Sequence, residues 1–183
     1  MTVYLLRHGP TEWSENGRHT GRTDLPLTAD GEDKARQAGA VLRALGARGR
    51  VYASPRTRAL RTAELAGLTV DEVTEDLAEW DYGDYEGLTT TTIRETVPDW
   101  TVWTHPCPGG ETAGQITERA NRVIANITDD AILVGHGHFS RVLIAAWIGQ
   151  AAEFGVHFGL EAAGVSTLGD ERGVPQIVRL NQH

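Results

Sequence analysis

Arg7, His8 and Gly9 follow directly on the apolar run Val3–Leu6. A buried strand gains nothing from two polar cationic side chains at its end, so their place calls for a chemical reason. An arginine offers planar, multidentate hydrogen bonds to a phosphate or carboxylate. An imidazole beside it can serve as nucleophile or base near neutral pH. Three further stretches carry chemistry of the same kind. "ASPRTRALRTAE" places Arg58 in the first turn of an expected helix, and "VGHGHFSR" sets His136 and His138 around Gly137. "LAEWDYGDYEGLT" brings Glu79, Asp81, Asp84 and Glu86 among aromatic residues, whose dry surroundings favour a protonated carboxyl able to act as a general acid. Composition does not select one of these four carboxylates. Each feature also has an ordinary reading: a hydrogen-bonded strand-end histidine, a solvated arginine face around Arg56, Arg58 and Arg61, a glycine turn, a surface glutamate.

What joins them is the order of elements. Thr28 caps an expected helix whose apolar face is Ala35, Ala38, Val41, Leu42 and Leu45 and which stops at Gly46. Arg50–Ala53 reads as a strand, with Ser54 as cap and Pro55 at the first helical position behind it. Leu68–Val73 is a further strand, Thr91–Val97 a short helix, and Glu111–Ile127 a long one. Ala131–Val134 is a buried strand running through glycines into another helix, and Val165–Leu168 and Gln176–Leu180 are two short strands. This alternation predicts one α/β domain over residues 1–183, a three-layer α/β/α sandwich on a mostly parallel sheet of about six strands. Such sheets hold ligands beyond the carboxyl ends of their strands. Arg7, His8, Arg58 and His136 are expected to meet there, around an anion.

Composition narrows the classes. The net charge of −8 argues against nucleic acid as a partner. The apolar run before Arg7 is too short for a signal peptide, and no stretch reaches the length of a membrane span, so no membrane partner and a cytoplasmic location are expected. Cys107 is the only cysteine, which excludes an intrachain disulfide and a cysteine-rich metal cluster. Lys34 is the only lysine, so the arginines have to be judged one by one from position. A homodimer is as compatible with these residues as a monomer.

"LLRHGPTEWS", "TGRTDLPLTADG", "ASPRTRALRTAE", "LAEWDYGDYEGL" and "VGHGHFSR", in that order, resemble the histidine phosphatase superfamily, in its cofactor-dependent phosphoglycerate mutase-like branch. The resemblance implies a phosphorylated nucleophile at His8, phosphate-binding arginines at Arg7 and Arg58, a second histidine at His136 and the proton-donating carboxyl at Glu79. It implies substrate contacts at Ser14, Thr20 and Gly21; Tyr82 in the aromatic loop and Gly137, whose backbone can approach an anion closely, are further candidates. It further implies no metal and no cofactor, with a small phosphorylated substrate as the partner. Pro10, Ser14 and His138 depart from the mutase pattern, and the segment between Trp100 and Glu111 lacks the paired arginines and proline-rich stretch that mutases place over the substrate. The likeness is greatest to acid phosphatases and sugar-bisphosphate phosphatases. The expected chemistry is phosphomonoester hydrolysis through a phosphohistidine, with Arg7, Arg58 and a protonated His136 supplying positive charge.

Three other readings remain at this point. A phosphoglycerate mutase is disfavoured by the short middle segment. A metal hydrolase would use His136 and His138 but needs further ligands. A non-catalytic phosphate-binding module has no reason to keep a nucleophile and an acid together. Trp13, Trp80, Trp100, Trp103 and Tyr82 are expected either to pack or to line a mouth for the leaving group.

Overall fold

The computed structural model describes residues 1–183. Six strands form one sheet: β1 (Val3–Arg7), β2 (Arg50–Ala53), β3 (Glu72–Val73), β4 (Ala131–Gly135), β5 (Val165–Glu171) and β6 (Val174–Gln182), in the order β3-β2-β4-β1-β5-β6. The pairs β3–β2, β2–β4 and β4–β1 are parallel, while β1–β5 and β5–β6 are antiparallel, so only β5 runs against the rest. The helices are α1 (Glu12–Glu15), α2 (Ala29–Ala44), α3 (Thr57–Leu65), α4 (Thr90–Arg94), α5 (Ala113–Asn126) and α6 (Gly137–Trp147).

The period-two alternation of the central strands divides the interior into two cores. Val3, Leu5, Ala131 and Leu133 face a 25-residue cluster with α5, α6 and the tryptophan-rich middle segment. Tyr4, Leu6, Ile132 and Val134 face a 13-residue cluster with α2 and α3. Both faces of β1 and β4 are therefore buried, which is why these strands read as unbroken apolar runs.

Several boundaries differ from the sequence expectation. Helix α2 begins as expected, Thr28 accepting from the Gly31 N–H, and ends at a turn through Gly46. Helix α3 starts later than Ser54 and Pro55, with Arg56 as N-cap and no side-chain cap bond. The Ser54 hydroxyl is engaged elsewhere, with His136. The strand expected over Leu68–Val73 shrinks to the exposed pair Glu72–Val73, because the sheet edge offers partners only at Tyr52 and Ala53. Helix α4 is capped by Thr89 and ends at Arg94, short of Val97. Helix α5 starts after a Thr112–Gln115 capping box. The two tail strands are longer than expected and form a hairpin on the β5 side of the sheet.

Candidate active site

Strand register brings the site together. Arg7 on β1 lies opposite Gly135 on β4, so His8 and His136 leave the sheet side by side, their rings 5.1 Å apart. Ala53 on β2 lies opposite Val134, which sets Ser54 beside the same end. Beyond these ends the chain is crowded. A Cβ on Gly9 would lie 2.4 Å from the Gly31 carbonyl, and one on Gly31 2.2 Å from that of Pro10. Only glycine lets the loop after His8 cross the start of α2.

His8 is buried, and its Nδ1 lies 2.7 Å from the Gly9 carbonyl. A carbonyl can only accept, so Nδ1 carries the proton and Nε2 keeps its lone pair. Burial first, then the charges of Arg58 and Arg7, hold the His8 pKa well below the usual histidine value, with the Gly9 bond opposing. Burial is the larger cause, ahead of both arginines.

His136 is also kept well below its usual pKa, by burial and then by His8 and Arg58. Burial thus opposes the protonated second histidine that the resemblance implied. Its Nε2 lies 2.7 Å from Ser54 Oγ, which itself accepts the Arg56 N–H at 3.4 Å. The serine hydroxyl can donate to Nε2, and in that tautomer Nδ1–H is the free donor.

Arg58 is fully buried. Its Nη1 donates to the Thr23 carbonyl at 2.8 Å, and its Nη2 to the carbonyls of Thr20 and Gly21 at 3.1 and 3.0 Å. Both outer nitrogens are partly spent on the protein, so Arg58 offers an anion less than the full fork expected. Arg7 donates through Nη1 to the Leu160 carbonyl. Three nitrogens here are buried without a partner: Arg7 Nε, Arg58 Nε and His136 Nδ1. An unpaired buried donor costs about 1–3 kcal/mol, and an anion accepting from these groups would recover that cost.

Glu79 enters from the opposite core. Its Oε1 accepts from the N–H groups of Trp80 and Phe139 at 2.9 and 2.7 Å, and its Oε2 from that of His138 at 3.0 Å. The carboxyl therefore sits at the N-terminus of α6, held by amides rather than by an aromatic wall. Oε2 takes one donor where Oε1 takes two, which leaves a lone pair on Oε2 for a proton. Of the competing carboxylates, Glu86 accepts from the N–H groups of Gly21 and Thr23, and Asp81 pairs with Arg22. Asp84, like both of these, is not in the cavity wall.

That cavity, of about 250 Å³, is lined by Arg7, His8, Ser14, Thr20, Glu79, Tyr82 and Gly137 from the expected set. Arg58 and His136, both fully buried, are not in its wall. Gly21 is not in the wall; its role is to hold Arg58. The Ser14 hydroxyl is tied to the Thr11 backbone, and that of Thr20 to the Arg18 carbonyl. Tyr82 is buried, its hydroxyl 2.6 Å from His138 Nδ1. Trp80, Trp100 and Trp103 are buried in the larger core, so they pack and do not form a mouth.

Sequence reasoning missed Arg18, His19, Arg141 and Leu160, which complete much of the wall. Arg141 had a signal: it lies one helical turn after Gly137, on the same face. Its Nε donates to the Gly155 carbonyl at 2.9 Å and its guanidinium covers the Trp103 ring. His19 and Leu160 come from irregular loops and had none. No three His, Cys, Asp or Glu side chains converge in a metal-ligating arrangement, and His138 faces Tyr82 rather than His136.

The model of the histidine phosphatase superfamily, branch 1, matches residues 3–183. The chain belongs to that superfamily. This histidine phosphatase is 49% identical to an acid phosphatase of Mycobacterium tuberculosis, over 97% of its own length and 91% of the relative's. It is 35% identical to a sedoheptulose 1,7-bisphosphatase of Saccharomyces cerevisiae, covering 81% of this chain and 68% of the relative. The solved structure of a functionally characterised Mycobacterium tuberculosis open reading frame superposes with a TM-score of 0.95 at 48% identity, covering 98% of this chain and 96% of that one. The six-stranded α/β fold is that of the family, and the chain is a phosphatase.

Proposed function

We propose that this phosphatase hydrolyses small phosphomonoesters, sugar phosphates among them, through a phosphohistidine at His8. The observation that carries the reading is the His8 tautomer: a buried neutral imidazole whose Nδ1–H is fixed on Gly9, leaving the Nε2 lone pair as nucleophile. Nε2 attacks phosphorus while the bond from phosphorus to the alcohol oxygen breaks, and Glu79 gives that oxygen its proton. Water then attacks the phosphohistidine, loses a proton to Glu79, and releases phosphate and free His8. Arg7, Arg58 and the Nδ1–H of His136 hold the phosphoryl oxygens in both steps. The leaving alcohol meets a polar wall of Arg18, His19, His138 and Arg141, which suits a hydroxylated metabolite better than an apolar one. The acid phosphatase and bisphosphatase likenesses support the same substrate class.

The test is a substrate carrying labelled phosphorus. Acid quenching destroys a phosphohistidine, so the enzyme is trapped in alkali. The wild type should hold an alkali-stable, acid-labile label, and His8→Ala should lose it together with several orders of magnitude in kcat, roughly the 10³-fold or more expected when a covalent route is removed. Substantial turnover by the variant would exclude the covalent route. Stoichiometric transfer of the label to a second metabolite, without release of phosphate, would make the chain a mutase.

A further inference from the structure

Arg7 reaches the cavity from a strand end, yet the group that holds its guanidinium is the carbonyl of Leu160, far along the chain. Leu160 belongs to a stretch of irregular backbone, and something must fix that carbonyl. Asn181 does so from the hairpin. Its Oδ1 accepts the Glu161 N–H at 2.8 Å and its Nδ2 donates to the Gly159 carbonyl at 2.5 Å, one bond on each side of Leu160. The backbone of Asn181 is adapted to this. It has φ of 50°, in the left-handed region that asparagine tolerates better than most residues. It sits where two steps of β5, Val165 to Thr167, face three of β6, Gln182 to Arg179. This is a bulge, which re-aims a side chain out of the regular alternation. The Asn181 N–H, displaced from the ladder, is taken by Ser166 Oγ at 3.3 Å.

We propose that Asn181 is a positioning residue for Arg7: the hairpin bulge clamps Gly159–Glu161 so that the Leu160 carbonyl fixes the guanidinium for the phosphate. The proposal rests on the reading of Arg7 as a phosphate ligand. An arginine left free to sample other rotamers binds an anion less well, because the ordering cost then falls on the binding step. The effect belongs to phosphate binding in every state, so it appears in KM and in inhibition by inorganic phosphate more than in kcat.

Asn181→Gly tests the clamp alone, since glycine keeps the left-handed φ and removes only the side chain. KM for a phosphomonoester and the inhibition constant of inorganic phosphate should rise together, roughly fivefold to tenfold, the worth of about one lost hydrogen bond, with kcat changed less than twofold. Gln176→Ala, on the same strand but bonded only to exposed Glu171, should leave both constants alone. All assays are run below the onset of thermal unfolding of each variant. If Asn181→Gly fails to fold, Asn181→Asp decides, since it keeps the acceptor for Glu161 and loses the bond to Gly159. Unchanged phosphate inhibition in the folded variant overturns the clamp. Arg7→Ala separates this from the premise: if it too leaves phosphate inhibition unchanged, Arg7 is not the phosphate ligand, whereas if it weakens inhibition and Asn181→Gly does not, only the clamp fails.

Discussion

Glu79 does two jobs with one carboxyl. It accepts three backbone N–H groups, and in the proposed reaction it also moves a proton. Glu79→Gln separates them. The amide cannot pass a proton, and its NH2 group must meet at least one N–H that the carboxylate accepted. A donor facing a donor leaves a buried group unpaired and costs about 1–3 kcal/mol. The variant should therefore melt lower than the wild type and still fold. Its kcat should fall about 10²–10⁴-fold on alkyl phosphates, the usual worth of a general acid. It should fall much less on an aryl phosphate, whose leaving group departs without a proton. Equal losses on both esters would remove Glu79 from the acid role. The same accounting of protons applies to His136: with Ser54 donating to Nε2, its Nδ1–H can hold an anion without the imidazole being charged.

Helix α6 is the element that joins the two halves of the site. Its first N–H groups hold Glu79, and its first residue, Gly137, lies against Arg7. A Cβ at Gly137 would sit 3.2 Å from Arg7 Nε and 3.3 Å from its Cζ, so the guanidinium must give by a few tenths of an ångström. Gly137→Ala should raise KM several-fold with a melting temperature near that of the wild type, and an unchanged KM would mean that Arg7 moves without loss. Helix α5 supports α6 from below through Arg119. That arginine forms a two-point ion pair with Glu111 at 2.7 and 2.9 Å, donates to the carbonyls of Asp76 and Ala78, and covers the Phe139 ring. Arg119→Met keeps most of the apolar stem but leaves the partly buried Glu111 carboxylate unpaired, which should cost less than the about 3–5 kcal/mol of a fully buried pair. Thermal or urea unfolding measures it. Glu111→Gln added to Arg119→Met should recover part of the loss, and failure to do so would assign the stability to the carbonyl contacts instead.

Four buried or half-buried histidines, His8, His19, His136 and His138, make the whole molecule sensitive to acid. Burial is the leading cause in each case, and it holds His19 down to about 4 and the other three well below their usual value. Above the unfolded histidine pKa of about 6.5 both states are neutral and stability is complete. As pH falls below that value the unfolded chain takes up protons that the fold refuses, so stability is lost, at up to about 1.4 kcal/mol per pH unit for each histidine. The melting temperature should drop steeply between pH 6.5 and 5, more than in a His19→Phe variant, with about one proton fewer taken up on unfolding in the variant. A flat melting profile across that range would contradict the burial argument. Inorganic phosphate should restore part of the loss, because the anion binds the folded state alone.

The local signals in the sequence were strong wherever a rule of short range applies. The apolar runs of β1 and β4 and the glycine turn at Gly137 announced a parallel sheet with histidines at its strand ends, because pleat and helix periods are properties of a few consecutive residues. His8, Arg7, Arg58 and His136 were legible for the same reason. Glu79 was not: Asp81, Asp84 and Glu86 had equal standing until the family resemblance singled it out. In the fold, the amides of α6 hold Glu79 while Gly21 and Thr23 occupy Glu86, and those contacts join segments about 60 residues apart. Ser54 reads as a helix cap and instead bonds His136, since a hydroxyl takes whichever partner the tertiary packing brings nearest. Trp80, Trp100 and Trp103 read as a mouth or a core, and burial decided for the core, while Trp13 stays half-buried outside it. His19, Leu160 and Asn181 left no mark in the sequence at all. Their roles arise from loop closure and a strand bulge, which no local pattern encodes because the bonds that define them form only when distant parts of the chain meet.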